Sequence, residues 1–133
     1  MKTELPMAIA ECGVVAYEFL LDFGSYRDLQ RHRAIVQRMP LLTRTHGFNP
    51  WYLNSLPDEL REKAEKFIKL QEERIAKLKI SKELEQYYNA MGYRVACRLS
   101  GDLKAIVYLV ELRSTRFVHA TLVEQMLKMT KVW

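Results

Sequence analysis

The stretch Cys12-Gly13-Val14-Val15-Ala16-Tyr17-Glu18-Phe19-Leu20-Leu21-Asp22-Phe23 decides how this chain is read. Val15, Tyr17, Phe19, Leu21 and Phe23 fall on alternate positions, with Glu18 and Asp22 on the intervening ones. A period of two puts the first set on one face, so residues 12–23 read as a strand half in the core. Gly24 breaks the pattern, and Ser25 is placed to cap a helix from Tyr26 to about Val36. A second alternating run, 93–99, sends Tyr93, Val95, Cys97 and Leu99 to one side and Arg94, Ala96 and Arg98 to the other. Two such strands among helical segments predict an α+β domain, a small antiparallel or mixed sheet packed with four to five helices.

Working outward, Pro40 marks Arg38-Met39-Pro40-Leu41-Leu42-Thr43-Arg44 as a short edge strand or extended segment. Residues 45–54 read as a loop. Ser55, Pro57 and Asp58 then open a helix to about Leu78, with Leu60, Ala64, Phe67, Gln71, Ile75 and Leu78 as its stripe. Glu59–Lys63, Glu62–Lys66 and Glu65–Lys69 are spaced to pair on its solvated face. A further helix fits Ser81 to Met91, stopped by Gly92. Ser100 is placed to cap an almost wholly apolar helix, Asp102 to Leu112. The last helix spans about Phe117 to Val132, with Val118, Leu122, Met126, Met129 and Trp133 on its apolar side.

At 133 residues, with 49% apolar and 28% charged residues, the composition is that of one ordinary globular domain. The two cysteines, Cys12 and Cys97, do not form a disulfide framework, and each reads as a core residue of a strand. The longest apolar run, Ala105 to Val110, is far short of the roughly 20 residues of a membrane span. Glu4, Glu11 and Glu18 interrupt any signal-peptide core. A cytoplasmic protein away from membranes is expected. His32, His46 and His119 show no metal-ligand spacing, so no metal site is expected. Trp51 and Tyr52 read either as loop anchors or as a stacking platform for a flat ligand.

The net charge is +5, and most of it is local. Between Arg27 and Arg44 stand Arg27, Arg31, Arg33, Arg38 and Arg44 against the single acid Asp28. On a helix Arg27 and Arg31 share a face, with Gln30 and Arg33 beside it. Guanidiniums so grouped offer bidentate donors to phosphate.

Phe23-Gly24-Ser25-Tyr26-Arg27-Asp28-Leu29-Gln30-Arg31-His32-Arg33, followed by Glu111-Leu112-Arg113-Ser114 and His119-Ala120, resembles the flavin-dependent thymidylate synthase family, in its duplicated-module form. The resemblance covers roughly residues 12–130 and implies that residues 1–133 are one domain like the C-terminal part of that module. It implies a thymidylate-synthase-complementing-protein-like fold, and reductive methylation of dUMP with FAD, NADPH and methylenetetrahydrofolate in a homotetramer. Carried over residue by residue, it assigns Arg113 to catalysis, Arg31, His32, Arg33 and Arg38 to the flavin, and Arg27, Gln30 and Arg44 to the nucleotide. The chain departs from the family pattern after Arg33. Val36, Arg38, Met39, Leu41, Thr43 and Arg44 stand where Ser, Asn, Glu, Ser, Arg and Tyr are usual. Lost polar groups of this kind predict a degraded site. A non-catalytic partner module is the alternative. A small basic RNA-binding protein is a third reading, which no nucleic-acid motif accompanies. The apolar surplus in 102–112 and 118–133 predicts a homo-oligomer.

Overall fold

The computed structural model describes residues 4–132. Its three strands are β1 (Val14–Asp22), β2 (Val36–Arg38) and β3 (Arg94–Asp102). The α-helices are α1 (Phe23–Leu29), α2 (Pro50–Asn54), α3 (Asp58–Ala76), α4 (Lys82–Glu85), α5 (Leu103–Arg113) and α6 (Ala120–Thr130). Two 3-10 turns, Met7–Cys12 and Gln86–Tyr88, complete the described elements. The fold is α+β. β3 lies between β1 and β2 and pairs antiparallel with both, in register from Val14↔Asp102 to Asp22↔Arg94 on one side and Val36↔Ser100 to Arg38↔Arg98 on the other. The one α-helix beyond the five expected is α2, which lies in the segment that read as a loop and is too short to carry a periodic signal.

The inner face of this sheet bears Leu21, Val95, Cys97 and Leu99, with Tyr17 and Phe19 partly buried beside them. Ile106, Leu109 and Val110 of α5 and Leu122, Met126 and Met129 of α6 close over it. That burial is the main stabilising term of the domain. Trp133, expected on the last stripe, lies outside the described residues. Burial pushes the Cys97 thiol up to about 12, with the Asp22 charge adding to the effect, so it stays a protonated core group. Cys12 departs from expectation, since it is exposed in the first 3-10 turn. Among the described residues no helix is long and apolar enough to cross a membrane.

Both long strands end in an aspartate that starts the next helix. The Asp22 carboxylate accepts the Ser25 N–H at 3.0 Å, and that of Asp102 accepts the Ala105 N–H at 2.8 Å. Asp22 and Asp102 are therefore the caps, in place of Ser25 and Ser100, and each helix begins directly on its strand. Asp22 was expected on the solvent face, yet it is fully buried. Asn49 Nδ2 donates to its Oδ1 at 3.1 Å and the Tyr52 hydroxyl to its Oδ2 at 3.2 Å. The segment that read as a loop thus folds over the strand end. Asn49 caps α2 by accepting the Trp51 N–H at 3.1 Å, and Pro50 occupies the first turn.

Several helix limits move for identifiable reasons. α1 stops at Leu29 rather than near Val36. The Gln37 side-chain amide donates to the Leu29 carbonyl at 2.6 Å and to the His32 carbonyl at 3.3 Å, while Val36 joins the sheet. The helix expected over 81–91 is only α4 and a 3-10 turn. Asn89 is pulled inward, donating to the Leu42 carbonyl at 2.8 Å, and Gly92 packs so closely that an added Cβ would meet the Phe48 ring at 2.4 Å. α3 begins behind Pro57 and is rotated from the expected stripe. Ile75 is buried and Glu72 accepts from the Tyr93 hydroxyl at 2.8 Å, whereas Phe67 is 60% exposed and Leu60 51%. Of its three expected ion pairs, Glu62–Lys66 forms, at 2.6 Å. The last helix begins at Ala120, because His119 serves as its cap.

Asp22 joins β1, α1 and α2. Hydrogen bonds to a charged group contribute about 1.5–3 kcal/mol each. Asp22→Ala is therefore expected to lower the unfolding free energy by at least about 3 kcal/mol in urea titration, the donors being left unpaired in the interior. A loss under about 1 kcal/mol would contradict this role.

Candidate anion-binding site

After α1 the chain turns through Gln30-Arg31-His32-Arg33-Ala34-Ile35 into β2. The His32 N–H donates to the Leu29 carbonyl at 3.0 Å and the Ile35 N–H to the His32 carbonyl at 3.3 Å. Gln37 ties the same two carbonyls from β2. Its Oε1 is buried without a hydrogen-bond partner among the described residues, a cost borne for holding this turn. Ile35 is the anchor. It is buried against Gly101, where an added Cβ would come within 3.3 Å of Ile35 Cγ1.

The anchored turn lies against α5. Arg31, His32, Arg33, Ala34 and Ile35 face Ala105, Tyr108, Leu112 and Arg113 across a cleft of about 280 Å³. Arg113 Nε donates to His32 Nε2 at 2.9 Å. An acceptor Nε2 requires the imidazole to be neutral with its proton on Nδ1. Burial lowers the His32 pKa, and the Arg113 guanidinium lowers it further, so both causes favour that form. The Tyr108 ring meets the His32 ring edge-on at 6.3 Å. With Nε committed to His32, the four remaining N–H donors of Arg113 sit at the terminal fork of its guanidinium. Arg31 and Arg33 are exposed, and neither belongs to an ion pair among the described residues. Among the described residues no carboxylate lines the cleft, and its apolar walls are Ala34, Ile35, Ala105 and Leu112.

The structure thus brings Arg31, His32 and Arg33 together with Arg113, which stands 81 positions from His32. The other residues singled out in the sequence do not line this cleft. Arg27 is exposed, with Nη1 3.2 Å from Met91 Sδ. Gln30 is exposed at the end of α1. Arg38 projects from the outer face of the sheet. Arg44 is spent internally, on Glu85 at 3.0 Å and Asn89 at 3.2 Å. Trp51 and Tyr52 pack on His119, with centroids at 5.0 and 5.5 Å, and form part of the α2 anchor. Tyr108 and Gln37 were not anticipated. Tyr108 was submerged in the apolar run of α5, and nothing in the sequence pairs Gln37 with the preceding turn. Among the described residues no group of His, Cys, Asp or Glu is arranged to hold a metal ion.

No protein-family model matches the chain. It is 36% identical over 107 residues to a UPF0159 protein of Chlamydia pneumoniae, covering 78% of this chain and 20% of the relative. A UPF0159 protein of Chlamydia muridarum matches at the same identity and coverage. One of Thermoplasma acidophilum is 34% identical over 106 residues, covering 77% of this chain and 21% of the relative. The chain therefore spans about a fifth of the length of these curated relatives. They correct the family expectation. The relatives are UPF0159 proteins, not flavin-dependent thymidylate synthases, and these names state no ligand or reaction.

The lowered His32 pKa has a consequence for stability. The unfolded chain takes up the His32 proton near pH 6.5, its ordinary value, before the folded chain does. Stability from this group is thus full above about pH 6.5 and is lost as pH falls toward the folded pKa. Thermal unfolding followed across this range is expected to show a component that His32→Asn removes. Parallel pH profiles for the two proteins would contradict the neutral, Arg113-bonded imidazole.

Proposed function

We propose that this chain is a binding module for a small phosphorylated ligand of the nucleoside monophosphate class, with dUMP as a representative. One observation carries the reading: Arg31, Arg33 and Arg113 share an acid-free cleft with a neutral imidazole and an apolar wall. Guanidinium forks match phosphate oxygens in pairs. The His32 Nδ1–H and the Tyr108 ring suit the uncharged part of such a ligand, and the apolar wall suits the face of a ring. At about 280 Å³ the cleft lies at the small end of ligand pockets, which favours a mononucleotide over a dinucleotide such as FAD or NADPH.

The reading is one of recognition rather than chemistry. His32 is the group of the cleft with an ordinary pKa near neutrality, and its bond from Arg113 occupies the nitrogen that would accept a proton. An intracellular setting accompanies the reading, supported by two free cysteines, one of them exposed. Self-association also belongs to it, supported by large apolar residues left at the surface, among them Val14, Val36 and Phe67.

Titration calorimetry with dUMP on the full chain and on Arg31→Ala tests the site. Arg31 makes no ion pair among the described residues, so its loss is expected to leave the melting temperature of the free protein nearly unchanged. Affinity is expected to fall about tenfold or more, as for loss of a charge-assisted hydrogen bond. No heat from the unmutated chain at millimolar dUMP would overturn the proposal.

A further inference from the structure

Among the described residues the helices cover one face of the sheet and leave Ala16, Glu18, Leu20, Val36, Arg38, Ala96 and Arg98 of the other exposed. On that face the register aligns side chains in rows across the strands. Ala16, Ser100 and Val36 form one row, and Glu18, Arg98 and Arg38 the next. Leu20 and Ala96 follow, and Pro40 lies beyond the end of β2 beside the same concavity of about 590 Å³. Val36 is 60% exposed and Leu20 41%. An antiparallel sheet tolerates one solvated face when that face is polar. This one carries Ala16 and Val36 on one side of the charged row, with Ser100 between them, and Leu20 and Ala96 on the other.

The charged row is ordered. Glu18 on β1 pairs with Arg98 on β3 at 3.0 Å, and Arg38 on β2 carries the far end with no ion pair among the described residues. Negative charge thus occupies one edge and unmatched positive charge the other. We propose that this face is the contact surface for a second copy of this chain, related by a two-fold axis parallel to β3. The inference rests on the self-association included in the proposed function and specifies its face and pairing.

Charge selects that axis. Sheets stacked face to face about an axis across the strands set Glu18 over the partner's Glu18 and Arg38 over the partner's Arg38. An axis along β3 exchanges the edges. Glu18 then faces the partner's Arg38, twice by symmetry, and Ala16 faces the partner's Val36, small against large. Arg98, on the central strand, meets the partner's Arg98 under either axis and is paired with its own Glu18, so the edge residues alone decide between the two. Strands in the two sheets remain nearly aligned, which is a standard packing of twisted sheets. Like charges held opposite one another at an interface are strongly disfavoured, whereas opposite ones fix register.

Sedimentation over a wide concentration range, on the full chain, tests the pairing. The unmutated chain is expected to form a dimer at high micromolar concentration. Glu18→Arg and Arg38→Glu, made separately, each bring like charges together, and each is expected to weaken the dimer about tenfold or more. An equimolar mixture of the two variants restores opposite charges at both contacts and is expected to recover the dimer. Recovery on mixing also shows that both variants fold. A dimer that resists both reversals would overturn this face while leaving self-association standing. Variants that dissociate and fail to recover on mixing would overturn the pairing. A chain that is monomeric throughout would overturn both the face and self-association, leaving the dUMP titration as a separate test of the cleft.

Discussion

An aspartate at the end of each long strand is the constraint on which the remaining structure depends. β1 and β3 pair along nine residues each, so Asp22 and Asp102 stand at opposite ends of one ladder. Each carboxylate takes up an N–H from the first turn of the following helix, and strand passes into helix without an intervening loop. α1 and α5 therefore start from opposite ends of the sheet. At about 1.5 Å per helical residue, their seven and eleven residues extend roughly 10 and 16 Å. Together these approach the length of the ladder, at about 3.3 Å per strand residue. The segment leaving α1 meets the end of α5, and the contact is Arg113 with His32.

That meeting gives the cleft its electrical character. Three guanidiniums near one another repel, and a protonated imidazole among them would add to the repulsion. Burial and Arg113 both lower the His32 pKa, so the ring accepts a hydrogen bond and adds no charge. Arg44, by contrast, is neutralised by Glu85 and holds the segment around Leu42 to that around Asn89. Similar arginines within one short window thus perform different work according to the groups opposite them.

The strands were legible because alternation is local. Val95, Cys97 and Leu99 are buried as their period requires, and the same period places Tyr17, Phe19 and Leu21 inward. Asp22 escaped that reading, since its burial depends on Asn49 and Tyr52 folding over from a distant segment. Phe67 was misassigned for a related reason. A helix stripe can be drawn through several apolar positions, and the tether of Glu72 to Tyr93 selects the rotation. Arg31, His32 and Arg33 stood out by their composition, and Arg113 by its place in a second segment. Their juxtaposition is a tertiary fact. The turn that presents them needs Gln37, whose partners precede it by five and eight residues and are backbone atoms with no sequence signature.

Burial, and after it the Arg113 guanidinium, holds His32 neutral in the cleft proposed to take phosphate. Nitrogen–proton correlation spectra of the imidazoles, recorded before and after addition of dUMP, test it most directly. The account predicts that His32 is the tautomer protonated on Nδ1 near neutral pH, that it titrates below the ordinary histidine value, and that its ring signals shift when dUMP binds. A His32 that titrates at the ordinary value, with signals unmoved by saturating dUMP, would contradict it.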